Sequence, residues 1–275
     1  MTEKKEEISK TLKEKLKPKQ FVKNPINGVK YTLLISSAKG GVGKSTISVN
    51  LAFAFQKLGL KIGILDADVY GPSLPKLLNL KDKPKSEDGK AMIPTIQYDA
   101  QCMSMGLLVD EQTPMIWRGP MVISALRTMT QKVLWKDRDV LIIDMPPGTG
   151  DTQLTFAQEI KVDGAVIVST PQDLALLDVK RGIQMFDKTG VKILGLIDNM
   201  SFFKGDDNKI YKIFGEGGVE KTAKEFNKNF LGHIPLHQDL RNSSDNGDPL
   251  THSQPEHEVS KIFLNIAKKI KSSFH

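Results

Sequence analysis

The chain has 275 residues, 39% hydrophobic and 26% charged, the composition of a globular protein able to bury one substantial core. Its net charge of +7 resides in the two ends: residues 1–25 hold eight lysines against four glutamates, and residues 261–275 hold four lysines and no acid. The body between is close to neutral, which argues against a nucleic-acid-binding core and reads the basic ends as solvated tails.

One cysteine, Cys102, excludes a disulfide within the chain and suits a reducing compartment. No apolar run approaches the roughly 18 residues that cross a bilayer. The first ten residues lack an apolar signal core and carry three glutamates, so the expectation is a cytoplasmic protein.

In chain order, residues 1–28 read as a lysine-rich tail and 29–275 as the folded domain. Ile8, Leu12 and Leu16 recur at a spacing compatible with a short helix. YTLLIS (31–36) is a buried-strand sequence. Ile47, Leu51, Ala54, Phe55 and Leu58 fall on one helical stripe, and Gly59 is placed to stop that helix. KIGILDAD (61–68) predicts a strand ending in two carboxylates. Residues 80–100 are charged and turn-rich, which predicts an exposed excursion. VLIID (140–144), GAVIVS (164–169), VKILGLI (191–197) and FLGHIP (230–235) are further short apolar runs, several of them separated by helical patterns. This alternation predicts an α/β fold, a single doubly wound, mostly parallel sheet with helices on both faces.

The stretch 36-SSAKGGVGKSTISVN-50 is the most informative. The common phosphate-loop pattern is G-x-x-x-x-G-K-[ST]; Gly43, Lys44 and Ser45 fit, while Ala38 takes the first glycine's slot. A strand, a glycine-rich turn and a helix in succession make an anion site of converging backbone N–H groups and a helix N-terminus. Gly40, Gly41 and Gly43 let the backbone approach phosphate, Lys44 would reach the β- and γ-phosphates, and Ser45 would ligate Mg²⁺. The whole run Ala38, Lys39, Gly40, Gly41, Val42, Gly43, Lys44, Ser45 and Thr46 is the expected nucleotide-binding segment. Asp144 ends VLIID and would orient Mg²⁺, although a turn or helix-capping aspartate would look the same in isolation. Asp66 and Asp68 point the same way if the strand stays extended. One would then serve Mg²⁺, here Asp66, and the other, Asp68, would position the attacking water.

With the extra lysine Lys39, K-G-G-V-G-K-S resembles the loop of the deviant-Walker-A ATPases, which include the MinD/ParA partition and cell-division ATPases and the nitrogenase iron protein. Longer strings are similar to the Mrp/ApbC iron–sulfur carrier branch: DADVYGPSLPKLL (66–78), WRGPMVISAL (117–126), DMPPGTGDTQLT (144–155), STPQDLALLDVKRG (169–182) and IPLHQDLRNSSDNGDP (234–249). The resemblance covers about residues 27–270. It implies an ATP- and Mg²⁺-dependent ATPase working as a homodimer, in which Lys39 reaches the partner subunit's phosphates. It also implies that Asn199 and Pro235 hold the adenine, and that iron–sulfur assembly proteins or apoprotein clients are the partners. Catalysis would rest on Lys39, Lys44 and Asp68, and attack on the γ-phosphate would be by water.

The chain departs from that branch twice. Some members carry a small assembly-type domain ahead of the ATPase, and the polar residues before the loop lead us to expect none here. The branch also places a C-x-x-C pair after N-M-S, so that a dimer supplies four thiolates to a [4Fe–4S] cluster. Here NMSFFKGDDNKIYKIFG (199–215) puts Lys204 to Asn208 in that place, and no iron–sulfur ligands are identifiable. Cys102 reads as a buried apolar residue, and Asp206 and Asp207 are hard oxygen donors.

A second reading takes the C-terminal EVSKIFLNIAKKIKSSFH as a basic amphipathic helix that binds a surface in the ATP state, as in a MinD/ParA-type spatial regulator. Packing of that helix on the sheet is the expected alternative. Neither nucleic acid nor a membrane is an expected partner.

Overall fold

The computed structural model describes residues 23–86, 89–108 and 119–274. The basic segment before residue 23, with its candidate helix at 8–16, lies outside the described residues, as does the start of the 117–126 string. Among the described residues, nine strands form one sheet in the order β3-β4-β2-β5-β1-β6-β7-β8, with β9 also paired to β7. They are β1 Val29–Ser36, β2 Ile62–Asp66, β3 Thr95–Gln97, β4 Ala100–Ser104, β5 Arg138–Asp144, β6 Gly164–Ser169, β7 Ile193–Lys204, β8 Ile210–Tyr211 and β9 Phe230–Leu236. All pair in parallel except β3 on β4 and β8 on β7, so the mostly parallel sheet is as expected.

Buried side chains form two clusters, one on each face of the sheet. The first face is covered by α1 (Lys44–Lys57) and α9 (Glu258–Lys271). The second is covered by α3 (Gly119–Gln131), α4 (Asp151–Glu159), α5 (Asp173–Thr189) and α6 (Gly218–Glu225). Helices on both faces let parallel strands be apolar throughout, and VLIID is accordingly buried along its whole length.

α1 buries more than its predicted stripe. Val49, Ala52 and Phe53 are also fully or nearly inaccessible, because α9 and α8 (Leu250–Ser253) pack against the side turned from the sheet. Buried Asn50 ties that second layer down: its Oδ1 accepts from Thr251 N (3.1 Å) and Thr251 Oγ1 (3.0 Å). α1 ends at Lys57 with Gly59 at φ +81°, the left-handed residue expected there.

Two expectations need correction. The segment 80–100 is more than an excursion, since β3 and β4 form a hairpin that extends the sheet. Its two-residue turn is Tyr98–Asp99, both at positive φ, and neither is the glycine or asparagine that usually marks such a turn. The strand of KIGILDAD also stops at Asp66, so Asp66 and Asp68 do not share a pleated face.

The apolar face of α9 is not free. Val259, Phe263, Ile266, Ala267 and Ile270 are buried against α1 and β9. No helix of the described residues is long and apolar enough to cross a membrane.

Candidate nucleotide site

The C-terminal ends of β1, β2, β5 and β7 converge, which in open parallel sheets is where ligands bind. β1 delivers the chain into the glycine-rich loop. Gly41 and Gly43 sit at φ +80° and +82°, the left-handed region that disfavours a side chain. Gly43 is also the N-cap of α1, so no capping side chain competes for the helix's first amides. A Cβ on Gly43 would lie 2.3 Å from Asn199 Nδ2. Ala38 is not among the residues at positive φ, so alanine fits where the common pattern has glycine.

Asp144 gathers the polar groups of this loop. Its Oδ2 lies 2.8 Å from Lys44 Nζ and accepts from Ser45 Oγ at 2.5 Å, while its Oδ1 accepts from Ser48 Oγ at 2.6 Å. Lys44 and Asp144 are both buried. Asp144 and Asp66 are directly paired across β5 and β2, so two carboxylates face one lysine. Burial first, then the neighbouring Asp144, pushes the Asp66 carboxyl up to about 7.

Asp66 and Asp68 are held differently. Asp66 Oδ2 accepts from Ser73 N (2.9 Å), Leu74 N (3.0 Å) and Ser104 Oγ (3.0 Å), and its Oδ1 accepts from Asp68 N (3.1 Å). Asp68 has two long bonds, from Tyr70 N and Gly71 N at 3.3 Å each. Burial raises its carboxyl above the usual range, opposed by Lys44. Opposite them, Gly148 N donates to Ser37 O (2.8 Å) and Gln153 Nε2 to Pro147 O (2.7 Å), fixing the segment after Asp144 against the loop.

Asn199 Nδ2 donates to Val42 O at 2.8 Å, joining β7 to the phosphate loop. Asn199 and Pro235 then line a cavity of about 450 Å³ with Gly43 and Thr46. Its other walls come from α2 (Leu74–Leu77) and α7 (Gln238–Asn246), which Lys76 and Asp245 approach across the opening at 3.7 Å. Gly43, Thr46, Asn199 and Pro235 thus share one cavity, while Lys44, Ser45 and Asp144 form a bonded cluster beside it, with Asp66 paired to Asp144 and Asp68 just beyond the strand end. Lys39 and Gly40 are exposed. Ser48 and His237 were not anticipated: Ser48 is one turn beyond Lys44, where the spacing was a usable signal, whereas nothing local marks His237.

Residues 205–209 form the turn of a hairpin between the end of β7 and β8. Gly205 N donates to Lys209 O (2.9 Å), and Asp207 accepts from Lys209 N (3.0 Å) and Tyr211 Oη (2.9 Å). These bonds, the one from Lys209 N foremost, hold the Asp207 carboxyl below its ordinary range. Cys102 lies in β4, fully buried, and burial pushes its thiol up to about 12. A thiol so buried behaves as a small apolar core residue.

With this geometry in view, the chain matches the ParA family described as NUBPL iron-transfer P-loop NTPases, over residues 28–271. It belongs to that family. An Arabidopsis thaliana iron-sulfur protein required for NADH dehydrogenase, mitochondrial, is 51% identical over 247 residues, 89% of this chain and 79% of that protein. The iron-sulfur cluster carrier protein of Escherichia coli K12 is 48% identical, covering 91% of this chain and 68% of its own length. Among solved structures, a nucleotide-binding protein from Archaeoglobus fulgidus in complex with ADP superposes with a TM-score of 0.74 at 34% identity, over 86% of this chain and 93% of that one. The cell division ATPase MinD of Pyrococcus furiosus, at 20% identity over 88% of this chain and 98% of its own, has a TM-score of 0.66 and shares the fold. This member of the NUBPL-type P-loop NTPases thus carries the nucleotide-binding architecture of its family.

Proposed function

We propose that the chain is a Mg²⁺-dependent ATPase acting as a homodimer in iron–sulfur cluster delivery, alongside partners that hold the cluster. The observation that carries this reading is the Lys44–Ser45–Asp144 cluster, with Asp144 2.8 Å from Lys44 and 2.5 Å from Ser45; Lys44 and Ser45 sit between Gly43 and Thr46 of the loop, which line the same cavity as Asn199 and Pro235. A hydroxyl and a carboxylate side by side are the hard oxygen donors that suit Mg²⁺. When bound, that ion would offset charge on the phosphates.

The protein's own groups do the rest. Lys44 leaves Asp144 for the phosphate oxygens, and the amides of the loop bind the chain of phosphates. Asp68, weakly held and near Lys44, orients the attacking water, with no acceptor other than water required. Asn199 and Pro235 hold the base. Lys39, exposed, serves the nucleotide of the second subunit, and closure and reopening of the dimer follow ATP binding and hydrolysis. The single cysteine suits work in a reducing compartment, which we take to be the cytoplasm.

A surface-binding spatial regulator would need the apolar face of α9, and that face is buried in the core.

ATP turnover and ADP binding by Lys44→Ala and Lys39→Ala test the reading. Lys44→Ala should lose turnover by at least about 100-fold and bind ADP poorly. Lys39→Ala should still bind ADP but fail to hydrolyse ATP or dimerise with it. Near-normal turnover in either variant would remove the proposal.

A further inference from the structure

α7 forms one wall of the nucleotide cavity yet has little core of its own, with only Leu240 and Ser243 buried. Something else must fix it. Its N-cap is His237, whose Nδ1 accepts from Asp239 N at 3.2 Å. The N-cap of α9 is also a histidine, His257, whose Nδ1 accepts from Val259 N at 3.2 Å. The two rings meet edge to face with centroids 4.9 Å apart.

A backbone N–H can only donate, so each Nδ1 must offer its lone pair, and the neutral ring carries its proton on Nε2. His257 Nε2 lies 3.3 Å from Asp239 Oδ2, in the first turn of α7. His237 Nε2 lies 3.5 Å from Glu258 Oε1, the first residue of α9. Each histidine thus caps its own helix and brings its remaining ring nitrogen near an acid at the start of the other, His257 within hydrogen-bond distance of Asp239 and His237 in a looser contact with Glu258. Serine, asparagine or aspartate would cap as well or better, but aspartate keeps no donor, and the serine hydroxyl and asparagine amide reach less far than the ring's Nε2.

We propose that His237 and His257 form a reciprocal brace that positions the base-binding wall of the nucleotide site by tying α7 to α9. This rests on the nucleotide reading above. α9 is the fixed partner, since its apolar face is buried against α1, the helix that leaves the phosphate loop. His257 acts only through α7, and is a positioning residue.

His237, Asp239 and His257 also have ligand atoms within 4.8 Å of one another, close enough for a metal ion to be considered. The tautomer argues otherwise. A metal on Nε2 moves the ring proton to Nδ1, facing the backbone donor, and uncaps the helix. Metal binding and the brace are therefore mutually exclusive.

His257→Asn separates the functions, because asparagine keeps the cap and removes the cross-link. In the full chain, KM for ATP should rise about 3- to 10-fold with kcat unchanged, while His257→Ala should lose further stability through the lost cap. In a double-mutant cycle with Asp239→Asn, measured by titration with Mg-ADP, the losses should be non-additive. A nucleotide-free readout distinguishes failure of the brace from failure of the nucleotide assignment: amide exchange across 239–246 should accelerate in His257→Asn. Unchanged exchange in α7, or additive losses in the cycle, would overturn the brace even if the wild-type protein binds ADP. Faster exchange in a protein that binds no ADP would keep the brace and remove the nucleotide assignment.

Discussion

Asp66 accepts four hydrogen bonds from the residues that follow it, so both its oxygens are engaged by the fold before any ligand arrives. Asp68, though buried, is held by only two bonds of 3.3 Å, both to one oxygen. From the sequence, Asp66 would serve Mg²⁺ and Asp68 the attacking water; in the fold the oxygens of Asp66 already shape the turn, and the proposed function rests the chemistry on Asp68. Asp66→Ala should therefore cost about 2–4 kcal/mol of stability, because buried donors lose their acceptor. Asp68→Ala should cost about 1 kcal/mol or less while abolishing turnover. Urea unfolding and ATP turnover on both variants check the split, and equal stability loss would refute it. A third carboxyl makes a prediction about pH. Burial pushes Asp198 up to about 6, against the pull of His233 3.1 Å away. A folded value above the ordinary 3.8 means the native state binds the proton more tightly than the unfolded chain. That contribution is full below about pH 4 and is lost as pH rises through about 6. Asp198→Asn lacks it, so the variant's stability relative to wild type should rise by on the order of 2 kcal/mol between pH 4 and pH 7. A difference that does not change with pH would contradict the assignment.

Elements were legible wherever one physical signal decided them. β1, the phosphate loop and α1 follow from an apolar run, left-handed glycines and a helical stripe ended by Gly59. β3 and β4 were missed because Tyr98–Asp99 makes their turn without glycine or asparagine, and because AQCMS is apolar only in part. The hairpin at 205–209 was hidden for a related reason. KGDDNK reads as a solvated charge run, and only the tertiary fold brings Tyr211 back onto Asp207. Thr46, Asn199 and Pro235 come from α1, β7 and β9, and no spacing in the sequence places them on one cavity; the family resemblance supplied the last two. The paired caps lay further out of reach. Histidine is not a usual capping residue, and the two that meet are twenty positions apart, His237 and His257.

At the scale of the molecule, the decisive matter is where thiolates could come from. A dimer has two cysteines, while a [4Fe–4S] cluster takes four thiolates. Cys102 is in β4, and the 205–209 hairpin, where the family resemblance would put a cysteine pair, extends from β7. Five strand steps separate them in the sheet, β4-β2-β5-β1-β6-β7, or about 24 Å at the usual strand spacing. Cys102 is therefore remote from the hairpin of its own chain, and it is fully buried, with burial pushing its thiol up to about 12. The turn is instead closed by Asp207, Lys209 and Tyr211, which needs no metal. On the proposed function, cluster chemistry falls to a partner and this chain contributes nucleotide-driven opening and closing. Anaerobic reconstitution of the isolated protein with iron and sulfide, with and without ATP, should leave iron near background and no cluster absorption band. About four iron atoms per dimer, with that band, would mean that ligands other than thiolates hold the cluster and that the division of labour is wrong.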